Sequence, residues 1–134
     1  MERRIAFGVI VAALLCACGQ PPKEQPLTKE GKAYVHNLQL TDVGIKATES
    51  YAKQTLTEIE GNVKNAGDRT VDRVDVFCLF YDRSGVLVLR ERVPMVKRAL
   101  KPGETRRFRL AFDDIPDSWN NNMPQLVIAQ VAFG

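Results

Sequence analysis

One histidine, His36, and three cysteines, Cys16, Cys18 and Cys78, set the reactive inventory of the chain. With no second histidine, a Cys/His metal site or a Ser/His/Asp triad would have to be built around His36 itself, which reads as a strand residue with one nitrogen satisfied. Cys78 stands in an apolar run with no CxxC partner and no neighbouring histidine, the setting of a buried structural thiol and not of a nucleophile. Asp113-Asp114-Ile115-Pro116-Asp117 brings three carboxylates together as hard oxygen donors. It lacks the alternate acids, central Gly and distal Glu of an EF-hand loop, so these read as turn and capping acids. Trp119 could serve as a ligand platform, but plugging one end of a sandwich is the plainer use of a tryptophan between strands. Glycine-rich phosphate loops are absent. No set of acid, base and nucleophile is assembled, and the expectation is a noncatalytic chain without a cofactor.

Cys18 carries different chemistry. Arg3-Arg4, an apolar stretch over residues 5–15 and the small Ala17 are the parts of a secretory signal peptide, and the stretch is well short of the roughly 20 residues of a spanning helix. Leu15-Cys16-Ala17-Cys18 resembles the bacterial lipobox, in which the signal is cut before a cysteine that then receives diacylglycerol. Cys18 follows a small residue, as that role requires, whereas Cys16 follows the bulky Leu15. The expected organisation is a signal peptide over residues 1–17, a lipidated tether over 18–31 with Pro21, Pro22 and Pro26 favouring an extended spacer, and a domain over 32–134. The lipid on Cys18 would hold the protein to the membrane of the bacterial envelope. Gly19, where Asp would mark inner-membrane retention, points to the periplasmic face of the outer membrane in a Gram-negative host. Only Cys78 then remains as a thiol, so no disulfide forms within the domain. The 19 Lys and Arg are scattered among 16 Asp and Glu without a basic run, which gives no electrostatic case for nucleic acid.

The elements that must position these residues are short extended runs divided by turn signals. Alternation predicts a strand from Tyr34 through Leu40, with Tyr34, His36, Leu38 and Leu40 on one face. A second runs from Leu56 to Val63 with a bulge between Leu56 and Ile59. Residues 71–81 make a central strand, with Val74, Val76, Cys78 and Phe80 on one face and Phe77, Leu79 and Tyr81 on the other. Asp82-Arg83-Ser84-Gly85 turns the chain into a return strand over 86–93. Lys101-Pro102-Gly103-Glu104 is a type II turn. From Thr105 to Phe112, Phe108, Leu110 and Phe112 point inward against Arg107 and Arg109, and a last strand covers 126–133. With an ambiguous stretch over residues 43–53 that offers a further strand near Ile45, the count is six or seven. That predicts an all-β, immunoglobulin-like antiparallel β-sandwich.

Glu60-Gly61-Asn62-Val63-Lys64-Asn65-Ala66-Gly67-Asp68, Val74 through Cys78-Leu79-Phe80-Tyr81-Asp82, Leu100-Lys101-Pro102-Gly103-Glu104, Ile115-Pro116 and Trp119 together resemble the FxLYD domain of bacterial envelope proteins. Cys78 and Phe80 depart from the family's usual apolar residues but remain core-compatible. The resemblance implies an immunoglobulin-like sandwich, frequently carried on lipoproteins, and brings no catalytic or ligand-binding residue.

A protein-interaction or scaffolding module with an envelope protein as partner needs only this anchor, tether and fold. A periplasmic carrier of a small ligand or metal is the alternative, with the Trp119 and Asp113 end as its place. The interaction surface is expected where Phe77, Leu79 and Tyr81 face away from the core and Arg107 and Arg109 project outward on a strand pairing with or near theirs, joining aromatic and arginine side chains on one face. Arginine stems or residues 43–53 folded over that face would close it. The anchor has its own test: Cys18→Ser abolishes fatty-acid labelling and leaves the signal uncut, and label that persists in the variant removes the assignment.

Overall fold

In the computed structural model, residues 26–49 and 55–134 are described, with no side-chain account of 48 and 49. The expected signal peptide, Cys18 and the first part of the tether lie outside the described residues. Described structure begins on a cap: the Thr28 hydroxyl accepts a hydrogen bond from the Gly31 N–H at 3.0 Å, opening a short helix, α1 (Lys29–Tyr34), continued by a 3₁₀ turn over Val35–Asn37. Tyr34 to Asn37 is therefore helical, not the start of a strand, and His36 is exposed on the turn instead of sitting in a sheet. Alternation could not separate the two because the deciding contacts are distant. Tyr34 packs edge-on against Phe133, ring centroids 5.2 Å apart, and its hydroxyl donates to Asn65 Oδ1 at 2.7 Å. With Leu27 packed on the core and Gly31 buried, residues read as the end of the tether belong to the fold.

Six strands follow among the described residues: β1 (Leu38–Glu49), β2 (Thr55–Asn65), β3 (Val71–Tyr81), β4 (Leu87–Val96), β5 (Thr105–Phe112) and β6 (Gln125–Phe133). They form two antiparallel three-stranded sheets, β1-β2-β5 and β4-β3-β6, the expected all-β sandwich. Ile45 belongs to the second half of β1 and adds no seventh strand. The bulge lies on β1 and not on β2: register shifts between Thr41 and Gly44, where Asp42 takes a φ of 53° and accepts from Asn62 Nδ2 at 3.3 Å. Pairing is unbroken from Leu56 to Ile59, so Thr57, Ile59 and Val63 share the buried phase and Leu56 does not.

Both faces of β3 match the expectation. Val74, Val76, Cys78 and Phe80 are wholly or almost wholly buried, between the sheets, while Phe77, Leu79 and Tyr81 are half-buried on the outer face. Phe80 meets Phe112 of β5 edge-on at 5.1 Å and Trp119 of the β5–β6 connection at 5.5 Å, so the tryptophan does plug one end of the sandwich. The turns behave as written: Gly85 and Gly103 sit at φ near +80°, and the Glu104 N–H donates to Lys101 O at 3.0 Å.

Asn65, fully buried, ties the pieces together. Its Nδ2 donates to Arg69 O at 2.7 Å and Leu100 O at 3.0 Å, while its Oδ1 accepts from Tyr34 and from the Gly67 N–H. Removing that amide strands several buried donors and acceptors at once. Asn65→Ala is expected to cost about 3 kcal/mol and Tyr34→Phe about 1.5 kcal/mol, read as shifts of the urea midpoint.

Candidate interaction face

Across the β3–β4 hairpin, Phe77 lies opposite Arg92 and Leu79 opposite Arg90; on the other side β6 sets Val127 opposite Phe77 and Gln125 opposite Leu79. Directly opposed residues in an antiparallel pair share a face, so these side chains occupy the outer surface of the β4-β3-β6 sheet. The Arg90 guanidinium reaches diagonally over the Phe77 ring, 3.7 Å from its centroid, and Arg92 stands 5.7 Å from the same centroid. Arg92 is held from its far side. Its Nε and Nη2 donate to Asp75 Oδ2 at 3.2 and 3.1 Å, Nη2 donates to Gln130 Oε1 at 2.6 Å, and Arg73 Nε donates to the other Asp75 oxygen at 2.8 Å. Asp75 is buried, so its charge is compensated by partners and not by water. Tyr81 donates to Gln125 at 3.0 Å, and exposed Val127 and Leu87 extend the apolar strip to either side.

Arg107 and Arg109 are not on this face. β5 hydrogen-bonds to β2, so both arginines project from the outer face of the opposite sheet. There Arg107 pairs with Glu60 at 2.8 Å, Lys46 pairs with the same carboxylate at 3.1 Å, and Arg109 pairs with Glu58. The hydrogen bonds from Lys46 and then Arg107 hold the Glu60 carboxyl below the usual range. The expected union of aromatic and arginine side chains exists with Arg90 and Arg92 in place of Arg107 and Arg109. The signal for it lay in the hairpin: counting back across Asp82–Gly85 puts the alternating Arg90 and Arg92 on the face of Phe77 and Asp75, and the register shift between Phe80 and Tyr81 carries them on to Leu79 and Phe77.

Between the outer edges of β4 and β5 lies a groove of about 350 Å³, walled by Pro94, Met95 and Phe108 and by the cations Lys97, Arg98, Arg107 and Arg109. Arg106 fixes its rim, donating to Arg98 O at 2.8 Å and Ala99 O at 2.7 Å while pairing with Glu104 at 2.9 Å. Glu91, opposite Cys78 on β4, has a buried Oε2 with no hydrogen-bond partner among the described residues. Burial pushes its carboxyl up, and the charges of Asp114 and Asp113 push it further. The Cys78 thiol is pushed up to about 12, by burial first and by Glu91 second, and is protonated at neutral pH.

At the sandwich end, Ile45, Ala47, Thr57 and Trp119 line a cavity of about 330 Å³, and the Trp119 Nε1 is buried with no partner among the described residues. Among the described residues no group of three His, Cys, Asp or Glu is arranged to hold a metal ion, and no helix is long and apolar enough to cross a membrane. Comparison with protein-family models, curated proteins and solved structures finds no match for the chain.

The Glu91 environment has a signed pH dependence. A carboxyl raised in the folded state stabilises folding fully below its unfolded value and loses that contribution as pH rises through the folded one. Glu91→Gln is therefore expected to melt above the wild type at neutral pH, with the gain vanishing below the ordinary glutamate range, as followed by thermal unfolding across pH.

Proposed function

We propose that this chain is a membrane-anchored bacterial envelope lipoprotein whose sandwich is a noncatalytic, FxLYD-like protein-interaction module. The lipobox-like Leu15-Cys16-Ala17-Cys18 supports the anchor. The observation that carries the interaction role is the Arg90 guanidinium stacked on Phe77 beside an Arg92 clamped by Asp75 and Gln130. Arginines already held over an aromatic ring lose little rotamer freedom on docking, and Leu79, Tyr81, Val127 and Leu87 offer apolar area around them. The partner that fits is an envelope protein presenting an apolar patch with carboxylates placed for the guanidinium groups.

A small-ligand carrier is the second reading, and the unpartnered Trp119 N–H beside its cavity favours it. A molecule recovered from purified native protein is its signature.

The docking face is tested by Val127→Asp, an exposed position opposite Phe77. The variant should keep its β-type circular dichroism and cooperative melting yet lose about tenfold in affinity for a partner captured by crosslinking in native envelopes. Undiminished capture would move the interaction to another surface.

A further inference from the structure

The two flanks of the sandwich are unequal. On one, α1 lies against β6 through Tyr34 and Phe133. On the other, the edges of β4 and β5 face solvent across the basic groove, each paired on one side only. Pro94 blunts β4 by lacking an N–H. β5 keeps its donors. Asn65 N–H donates to Glu104 O, so strand alternation turns the backbone N–H and C=O groups of Arg107, Arg109 and Ala111 away from β2, towards the open edge.

That edge has polarity. Arg106, Arg107 and Arg109 occupy its first two thirds, with Lys97 and Arg98 beside them, and Asp113 and Asp114 follow immediately after Phe112 with Glu91 nearby. Among the described residues, Lys97, Arg98, Asp113 and Asp114 have no ion-pair partner.

We infer that the open edge of β5 is a self-association surface, which pairs antiparallel with β5 of a second copy across a two-fold axis at Leu110. That register sets Arg107 against Asp113 of the other copy, Arg109 against Ala111 and Arg106 against Asp114. Arg107, Arg109, Ala111 and Asp113 all belong to the edge-directed phase, so backbone and charge pairing agree in this register. A purely basic edge would suit any acidic polypeptide or an anionic lipid surface. An edge basic at its start and acidic past its end is complementary to itself reversed, and two-fold symmetry supplies that reversal. Parallel pairing and slips towards the start of β5 set arginine against arginine, and the slip that sets Arg109 against Asp113 leaves Arg107 facing Ile115 and Arg106 facing Pro116, with fewer charge pairs. One strand edge buries little area, below about 1,200 Å² in total, so the dimer is reversible, salt-sensitive and micromolar.

The test is charge exchange in the full-length chain, followed by sedimentation equilibrium in density-matched detergent. Arg107→Asp and Asp113→Arg are each expected to weaken dimerisation at least tenfold. Mixing the two variants should restore it, because every new charge then meets its opposite in the heterodimer. Where Arg107→Asp fails to fold, Ala111→Pro carries the test, since it removes an edge-directed N–H and should abolish the dimer while preserving circular dichroism. A wild-type chain that stays monomeric up to about 1 mM, or variants that do not rescue each other on mixing, overturns the inference. So does a monomer whose Arg107-dependent binding goes to acidic peptide or anionic vesicles instead.

Discussion

A single amide in the core, that of Asn65, holds segments that have no other reason to meet. Its two donors close on the carbonyls of Arg69 and Leu100, and its oxygen takes the Tyr34 hydroxyl and the Gly67 N–H. Its backbone does as much again, donating to Glu104 and accepting from Gly103. The helix before the first strand, the turn between the sheets and the turn before β5 thus converge on one residue. Gly67 is small for the same reason: a Cβ there would come within 2.2 Å of the Tyr34 oxygen. Because β5 starts directly after the tethered Gly103-Glu104 corner, its phase is set there, with Phe108, Leu110 and Phe112 inward and Arg107 and Arg109 outward. An unmade hydrogen bond in such a place costs more than a made one gains, which is why a polar residue can organise an apolar core.

The two outer sheet faces solve the same problem of covering strands in opposite ways. On β1-β2-β5, Lys46, Glu60 and Arg107 form a cross-strand ladder of charges, with Arg109 and Glu58 beside it. Pairs with this much water around one partner contribute about 0–1 kcal/mol each, so the ladder serves solubility and register more than stability. On β4-β3-β6 the charges are drawn inward around the buried Asp75, and guanidinium groups cover an aromatic ring. Removing one partner there leaves a compensated buried carboxylate uncompensated, so that face resists change where the ladder tolerates it.

Legibility in the sequence followed the range of the deciding contact. β3, β5 and their turns are set by alternation and by glycines at positive φ, all local, and they came out as read. Tyr34 misleads because its hydroxyl partner lies 31 residues away and because the cap on Thr28, which starts a helix, leaves no mark on alternation. Leu56 misleads because apolarity alone does not mark the buried phase: Thr57 holds it, and the bulge that adjusts register sits in the partner strand at Asp42. Arg107 and Arg109 were correctly read as outward but joined to the wrong sheet, since alternation reports a face and says nothing of which strand lies alongside. Strand order in a sandwich is decided by crossings between sheets, which leave no periodic mark. The basic groove was invisible for a related reason, its cations being divided between β5 and the loop before it.

Trp119 is the only tryptophan of the chain, and its ring rests on Phe80, which in turn rests on Phe112 from the other sheet. Its indole therefore touches the core where the sheets meet, from a connection that both must position. An optical signal from this ring registers the separation of the sheets themselves and is blind to fraying at the helical flank. Intrinsic fluorescence thus distinguishes a sandwich that has come apart from one that has only shed its N-terminal helix, with no label added.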